Sequence, residues 1–259
     1  MNLRLSILFC AVLIFMTGCS NAPIEPGKHL FVLSGQSNMT GVLKKAFTEK
    51  VEQQLGAENV EVVISMRSGR GLRFWVKDYQ YSRGNKLPAK KDRSNGEEYP
   101  RLFKVAKDAL DKEEFKTVSF IWMQGESDAC SKNGLYKVYD VNFKKFYRKL
   151  KGDLKLDKMY FVIGRISDFG LRKNTKNYSD ERAMQWKEVR KFQVHCAESH
   201  KDGAWIDTDD LIDETNLHYL GDKREKLGNR FADKAVEQLV KRCGKHVLLK
   251  NRLKSDKGE

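Results

Sequence analysis

Four short runs carry the side chains with which this chain could do chemistry. Gly35-Gln36-Ser37-Asn38-Met39 follows the apolar stretch 30–33 and opens a helical pattern. A serine hydroxyl placed there lies near the positive end of a helix dipole, beside backbone N–H groups that can hold a developing oxyanion. The plainer role for Ser37 is a helix cap that satisfies an open amide. Ile121-Trp122-Met123-Gln124-Gly125-Glu126-Ser127-Asp128 is an apolar segment that ends abruptly in hydrogen-bonding residues, either a site or a turn capped by Ser127 or Asp128. In Ser68-Gly69-Arg70-Gly71-Leu72-Arg73-Phe74-Trp75, Gly69 can expose an amide with no side chain in the way. Asn216-Leu217-His218-Tyr219 precedes the last amphipathic stretch, and histidine is the base best suited to take a serine proton at neutral pH. Spacing alone does not rank His218 above His195 or His200, which fall at the end of a helical stretch where a histidine meets the last carbonyls.

These runs need elements to position them. Five short, nearly continuous apolar segments recur at 30–33, 60–64, 118–123, 159–166 and 204–206, the pattern of buried parallel strands. Between and after them, 39–55, 100–110, 136–150, 182–198 and 224–240 carry apolar residues at helical spacing. The alternation predicts an α/β fold, a parallel sheet covered on both faces. Ligands of such sheets bind beyond the carboxyl ends of the strands, where all four runs fall. The polar segment 79–99 reads as a long loop bordering that crevice. No internal repeat or second domain is visible in the 259 residues, so one catalytic domain spanning 29–243 is expected.

The ends differ from this middle. Arg4, the apolar run 5–16 and Met16-Thr17-Gly18-Cys19 read as an export signal over residues 1–18. Its apolar core is too short to span a bilayer as a permanent helix. The last four residues resemble the lipobox of bacterial lipoproteins, in which the cysteine is acylated. Cys19 then carries lipid, residues 19–28 form a tether, and Ser20 fits transport to the outer membrane. The expected location is thus exported: lipid-anchored at the bacterial outer membrane or in the periplasm, otherwise secreted. Cys130, Cys196 and Cys243 allow at most one disulfide plus a free thiol, and no spacing resembles a metal site. The formal charge is +14, but the basic residues are interspersed with acidic ones, apart from a basic tail over 244–259. Solvated helix faces explain this better than a nucleic-acid partner does, and membrane contact is expected only through the anchor.

Together the four runs resemble the SGNH-hydrolase superfamily, and within it the sialate O-acetylesterase and acetylxylan-esterase group, carbohydrate esterase family 6. Gly35-Gln36-Ser37-Asn38-Met39 is similar to the nucleophile block, Trp122 to Asp128 to the Gln-Gly-Glu block, Gly69 with Trp75 to the glycine block, and Leu217-His218 with Gly228 to the histidine block. The resemblance implies a flavodoxin-like three-layer α/β/α sandwich with a mostly five-stranded parallel sheet. It also implies no metal or other cofactor, and removal of acetyl groups from carbohydrate through an acyl-serine. Ser37 would be the nucleophile and His218 the base, then acid. The amides of Ser37 and Gly69 and the side chain of Gln124 would hold the oxyanion, and Glu126 would support the serine loop or His218. One departure stands out: an aspartate usual two or three residues before the histidine is replaced by Asn216 and Thr215. The third catalytic member is therefore open between Asn216, which can accept the imidazole N–H without charge, and Asp213, with Glu214 beside it. The same departure leaves room for a different class of protein, a glycan binder without turnover on this fold.

Overall fold

The computed structural model of the protein describes residues 27–82, 94–131, 133–175, 178–213 and 216–243. Five strands form its centre: β1 (His29–Gly35), β2 (Val60–Met66), β3 (Thr117–Met123), β4 (Tyr160–Gly164) and β5 (Gly203–Ile206). Every adjacent pair is parallel, as the alternating sequence pattern predicts, and the order is β2-β1-β3-β4-β5. The inner strands β1, β3 and β4 are buried throughout, which explains their unbroken apolar runs. At the edges, β2 and β5 are half-buried over much of their length.

Helices α1 (Gly41–Leu55), α2 (Tyr99–Leu110), α4 (Tyr139–Asp153), α5 (Asp180–Glu198) and α6 (Asp222–Cys243) match the expected amphipathic stretches. The short α3 (Glu126–Ala129), inside the run read as either a site or a turn, was not foreseen. Right-handed crossovers fix the layers: β1 to β2 runs one way through α1, β2 to β3 runs back through α2, so these helices take opposite faces. α4 and α5 continue on the α2 side, and α6 returns to pack along α1. Aromatic side chains fill both interfaces. Phe31 meets Phe47 of α1 edge-on at 5.3 Å, while on the other face Trp122 meets Trp75 and Phe146, each at 5.2 Å.

Because the winding reverses between β1 and β3, the connections after these two strands diverge and leave a crevice at their carboxyl ends. Ser37 follows β1 and Gln124 follows β3. The expected export signal and Cys19, most of the tether, the tail and residues 83–93 of the long loop lie outside the described residues. Among the described residues no helix is long and apolar enough to cross a membrane, and Cys130 and Cys196 are free thiols.

At the opposite end of the sheet, His29 is fully buried, its Nδ1 2.8 Å from Thr117 Oγ1 and its Nε2 without a partner among the described residues. Burial holds its pKa down at about 4, against an ordinary 6.5. Between these values the unfolded chain binds a proton that the folded chain refuses. This contribution to stability is therefore intact above about pH 6.5 and is lost as the pH falls toward 4. Urea unfolding at about pH 7.5 and about pH 4.5 should show wild type losing roughly 2 to 3 kcal/mol more than His29→Val. Equal losses in the two proteins would contradict this.

Candidate active site

The serine turn is forced by a close approach of two strands. Gly35, with φ of 148°, lies so near β3 that a Cβ there would stand 1.9 Å from the Met123 carbonyl oxygen. Only glycine fits, and the next amide, Gln36 N, donates to that carbonyl at 2.9 Å. The chain then turns through Ser37 before α1 begins. The cap of α1 is Thr40, whose hydroxyl accepts from Leu43 N at 3.1 Å, so Ser37 is not spent on capping. Its Oγ lies 2.9 Å from His218 Nε2, joining residues 181 positions apart.

His218 reaches the serine because its loop is fastened from several sides. Asn38 Nδ2 donates to Leu217 O at 3.4 Å and Asn38 Oδ1 accepts from Tyr219 N at 3.3 Å, so one carboxamide holds the backbone on both flanks of the histidine. The same Nδ2 donates to Glu126 Oε1 at 2.7 Å. Tyr219 is buried and donates its hydroxyl to Thr208 Oγ1 at 2.7 Å. Behind the loop, α6 closes onto α1 at Gly228, where a Cβ would stand 2.5 Å from Leu43 O. Upstream, Arg190 grips Asp209 through two bonds of 2.6 and 2.8 Å, a bidentate pair that anchors the segment leaving β5. The other two histidines weighed above lie elsewhere: His195 Nε2 is 3.3 Å from Lys144 Nζ on an exposed surface, and the His200 ring packs against Tyr147 and Phe161.

Neither candidate third member meets the imidazole. Asn216 Oδ1 accepts from the backbone N–H of His218 at 2.9 Å, which shapes the loop. Asp213 is paired with Lys223. Among the described residues the His218 ring hydrogen-bonds to Ser37 alone; Glu214 and Thr215 lie outside them.

Beneath the pair lies a buried polar layer. Gln36, Asn38, Gln124, Glu126 and Asp128 are each at most 4% exposed. Burial raises the Glu126 pKa, against the pull of backbone N–H groups and the Asn38 amide. Burial likewise pushes Asp128 up to about 6, against donation from Leu72 N–H and Gln124 and the nearby charge of Arg73. Gln124 Nε2 donates to Asp128 Oδ2 at 2.6 Å and lies 3.2 Å from Gln36 Oε1 and 3.4 Å from Arg70 O. The carboxyl end of β3 is itself pinned, since Gln124 O accepts from Gln193 Nε2 at 2.7 Å and from the Tyr139 hydroxyl at 2.9 Å. Gly69 has φ of 68°, is exposed, and has open space where a Cβ would be. From the sequence Gln36 and Asn38 have no role of their own and Asp128 only that of a possible turn cap, although all three sit inside the two runs chosen; a polar residue adjoining a buried strand end was the available signal.

The arrangement is an α/β protein with a serine and a histidine in contact at the switch point of a doubly wound sheet. The chain belongs to the carbohydrate esterase family described as sialic acid-specific acetylesterases, whose model matches residues 43–237. That span holds Gly69, Gln124, Glu126 and His218 and begins after Ser37, and the match does not reach the narrower carbohydrate esterase family 6 group. Among solved structures, the fold is similar to that of a protein from Arabidopsis thaliana: 16% identity, TM-score 0.61, 82% of this chain and 99% of that one covered. A carbohydrate acetylesterase from Xanthomonas citri is 15% identical with TM-score 0.56, over 85% of this chain and 57% of that one. A carbohydrate esterase family 3 protein from Talaromyces cellulolyticus is 8% identical with TM-score 0.53, over 82% and 98%. At these identities the likeness is one of fold. No curated protein matches the chain.

Removing the Asn38 carboxamide leaves Glu126 Oε1 and the Tyr219 amide without their partner. Asn38→Ala is expected to cost about 1–3 kcal/mol of stability and to speed amide exchange at Tyr219 selectively. Unchanged exchange at Tyr219 would show that Asn38 does not hold the histidine loop.

Proposed function

We propose that the protein hydrolyses O-acetyl groups on carbohydrate through an acetyl-Ser37 intermediate. The observation that carries this is the 2.9 Å contact between Ser37 Oγ and His218 Nε2. His218 takes the hydroxyl proton as Ser37 Oγ attacks the ester carbonyl carbon, and the carbonyl oxygen becomes an oxyanion. The backbone amides of Ser37 and Gly69 are its donors, and loss of one such donor typically costs about 3 kcal/mol in the barrier. The Gln124 side chain, expected as a third donor, is corrected to a brace of the turn that carries the second amide, because its NH₂ is engaged by Asp128, Gln36 and the Arg70 carbonyl. When the intermediate collapses, His218 returns the proton to the departing sugar oxygen. A water then attacks acetyl-Ser37 with His218 again as base, and acetate leaves.

Among the described residues no third residue meets the imidazole, and the loop's backbone clamps set the ring instead. A shallow cleft lined by Ile64, Met66, Arg67, Ser68 and Arg101 adjoins the Gly69 turn, with Arg67 beside Glu98 and Arg101 bonded to Ser65 Oγ and the Met66 carbonyl. Glycan binding without turnover is a second reading, favoured by the absence of any acidic partner for His218 among the described residues. We place the mature protein outside the cytoplasm, anchored through lipid on Cys19.

With a chromogenic acetyl ester, Ser37→Ala and His218→Ala should each lower kcat/KM about a thousandfold or more, whereas Asp213→Asn should change it less than about threefold. Acetylated oligosaccharide bound intact and never cleaved by wild type would favour the second reading. Metabolic labelling with a fatty-acid analogue should mark the full chain and not Cys19→Ser; equal labelling of both would remove the anchor.

A further inference from the structure

Hydrolysis as described leaves Asp128 without a task, although it is an unfavourable side chain to bury. It is fully buried, and its Oδ1 meets no donor among the described residues. A dry carboxylate with an unpaired oxygen is costly, and an apolar residue of similar size would fill the space more cheaply. Its other oxygen is shared between two chain segments. Oδ2 accepts from Leu72 N at 2.8 Å and from Gln124 Nε2 at 2.6 Å. Leu72 closes the turn Gly69-Arg70-Gly71, and Gly71 packs so near that a Cβ there would stand 3.2 Å from Oδ2.

The other branch leads to the serine. Gln124 Nε2 lies 3.2 Å from Gln36 Oε1, and Gln36 immediately precedes Ser37. The same Oε1 accepts from Ser127 N at 3.3 Å, which fixes the Gln36 side chain against the start of α3. One carboxylate oxygen thus ties the turn that presents the Gly69 amide to the turn that presents the Ser37 amide. Their separation is the dimension to which a two-amide oxyanion hole is most sensitive.

We propose that Asp128 is a positioning residue for the oxyanion hole, setting the Gly69 amide at a fixed distance from Ser37 through Leu72 on one side and Gln124 and Gln36 on the other. This rests on the acyl-serine reading. Asparagine at 128 is isosteric and can set its one carbonyl oxygen where Oδ2 stands, keeping both bonds without the charge, whereas alanine removes the acceptor altogether.

The test is made on the whole mature protein. Asp128→Ala should lower kcat about ten- to a hundredfold while KM moves less than about threefold, since the interaction is realised in the transition state, and Asp128→Asn should keep most of the activity. In Asp128→Ala amide exchange should accelerate at residues 69–72 and stay unchanged in β1 and β3. A further variant reaches the same contact from the opposite side and leaves Asp128 in place: Gly71→Ala presses on Oδ2 and should lower kcat about three- to tenfold, again with little change in KM. Wild type that releases no acetate overturns the acyl-serine reading itself. Active wild type in which Asp128→Ala and Gly71→Ala keep both kcat and the exchange of residues 69–72 overturns the role of Asp128 alone. A KM rise with unchanged kcat also overturns it, placing Asp128 in substrate binding.

Discussion

The whole site hangs on one buried carboxamide. Asn38 follows the serine directly, and its two polar atoms are divided among Glu126, Leu217 and Tyr219, which come from β3's end and from the loop before α6. It fastens together two segments whose catalytic side chains are 181 positions apart in the chain. Loops pay conformational entropy to hold one geometry, and Asn38 offsets that cost with hydrogen bonds formed out of water. The fold supplies the rest: α6 lies along α1 because Gly228 lets the helices touch, and this brings the loop preceding α6 over the start of α1.

The polar layer under the dyad trades stability for geometry. Five adjacent side chains, Gln36, Asn38, Gln124, Glu126 and Asp128, are nearly dry, and three of their acceptor oxygens find no donor among the described residues. In a core chosen for stability alone, apolar residues would do better. Burial raises both Glu126 and Asp128, so each carboxyl takes up a proton more readily in the folded chain than in the unfolded one. Their contribution to stability thus runs opposite in sign to that of His29, growing as the pH falls.

Much of this was legible in the sequence, for physical reasons that differ from place to place. The inner strands announce themselves as unbroken apolar runs because both faces are covered by helices, and the same covering dictates the doubly wound order. Ser37 and Gln124 could be placed at the crevice because the strand ends are marked by abrupt polarity. Capping was less legible, since Ser37 and Thr40 are both good caps and only the start of α1 at Gly41 chooses Thr40. His218 could not be ranked by spacing above His195 and His200, because the contact that distinguishes it spans 181 residues. Asn216, one of the two candidate partners, illustrates a second limit: its oxygen is equally able to accept a ring N–H or a backbone N–H, and it takes the backbone. Asp128 could be read from the sequence as part of a site or as a turn cap, and its tie to Leu72 is invisible without coordinates.

The dyad itself is tested most directly by a fluorophosphonate, which forms a covalent tetrahedral adduct only with an activated serine. One label per chain, located by peptide mass spectrometry on Ser37, with the labelling rate collapsing in His218→Ala, is the predicted result. A wild-type protein that resists the reagent, or carries the label on another residue, would contradict it.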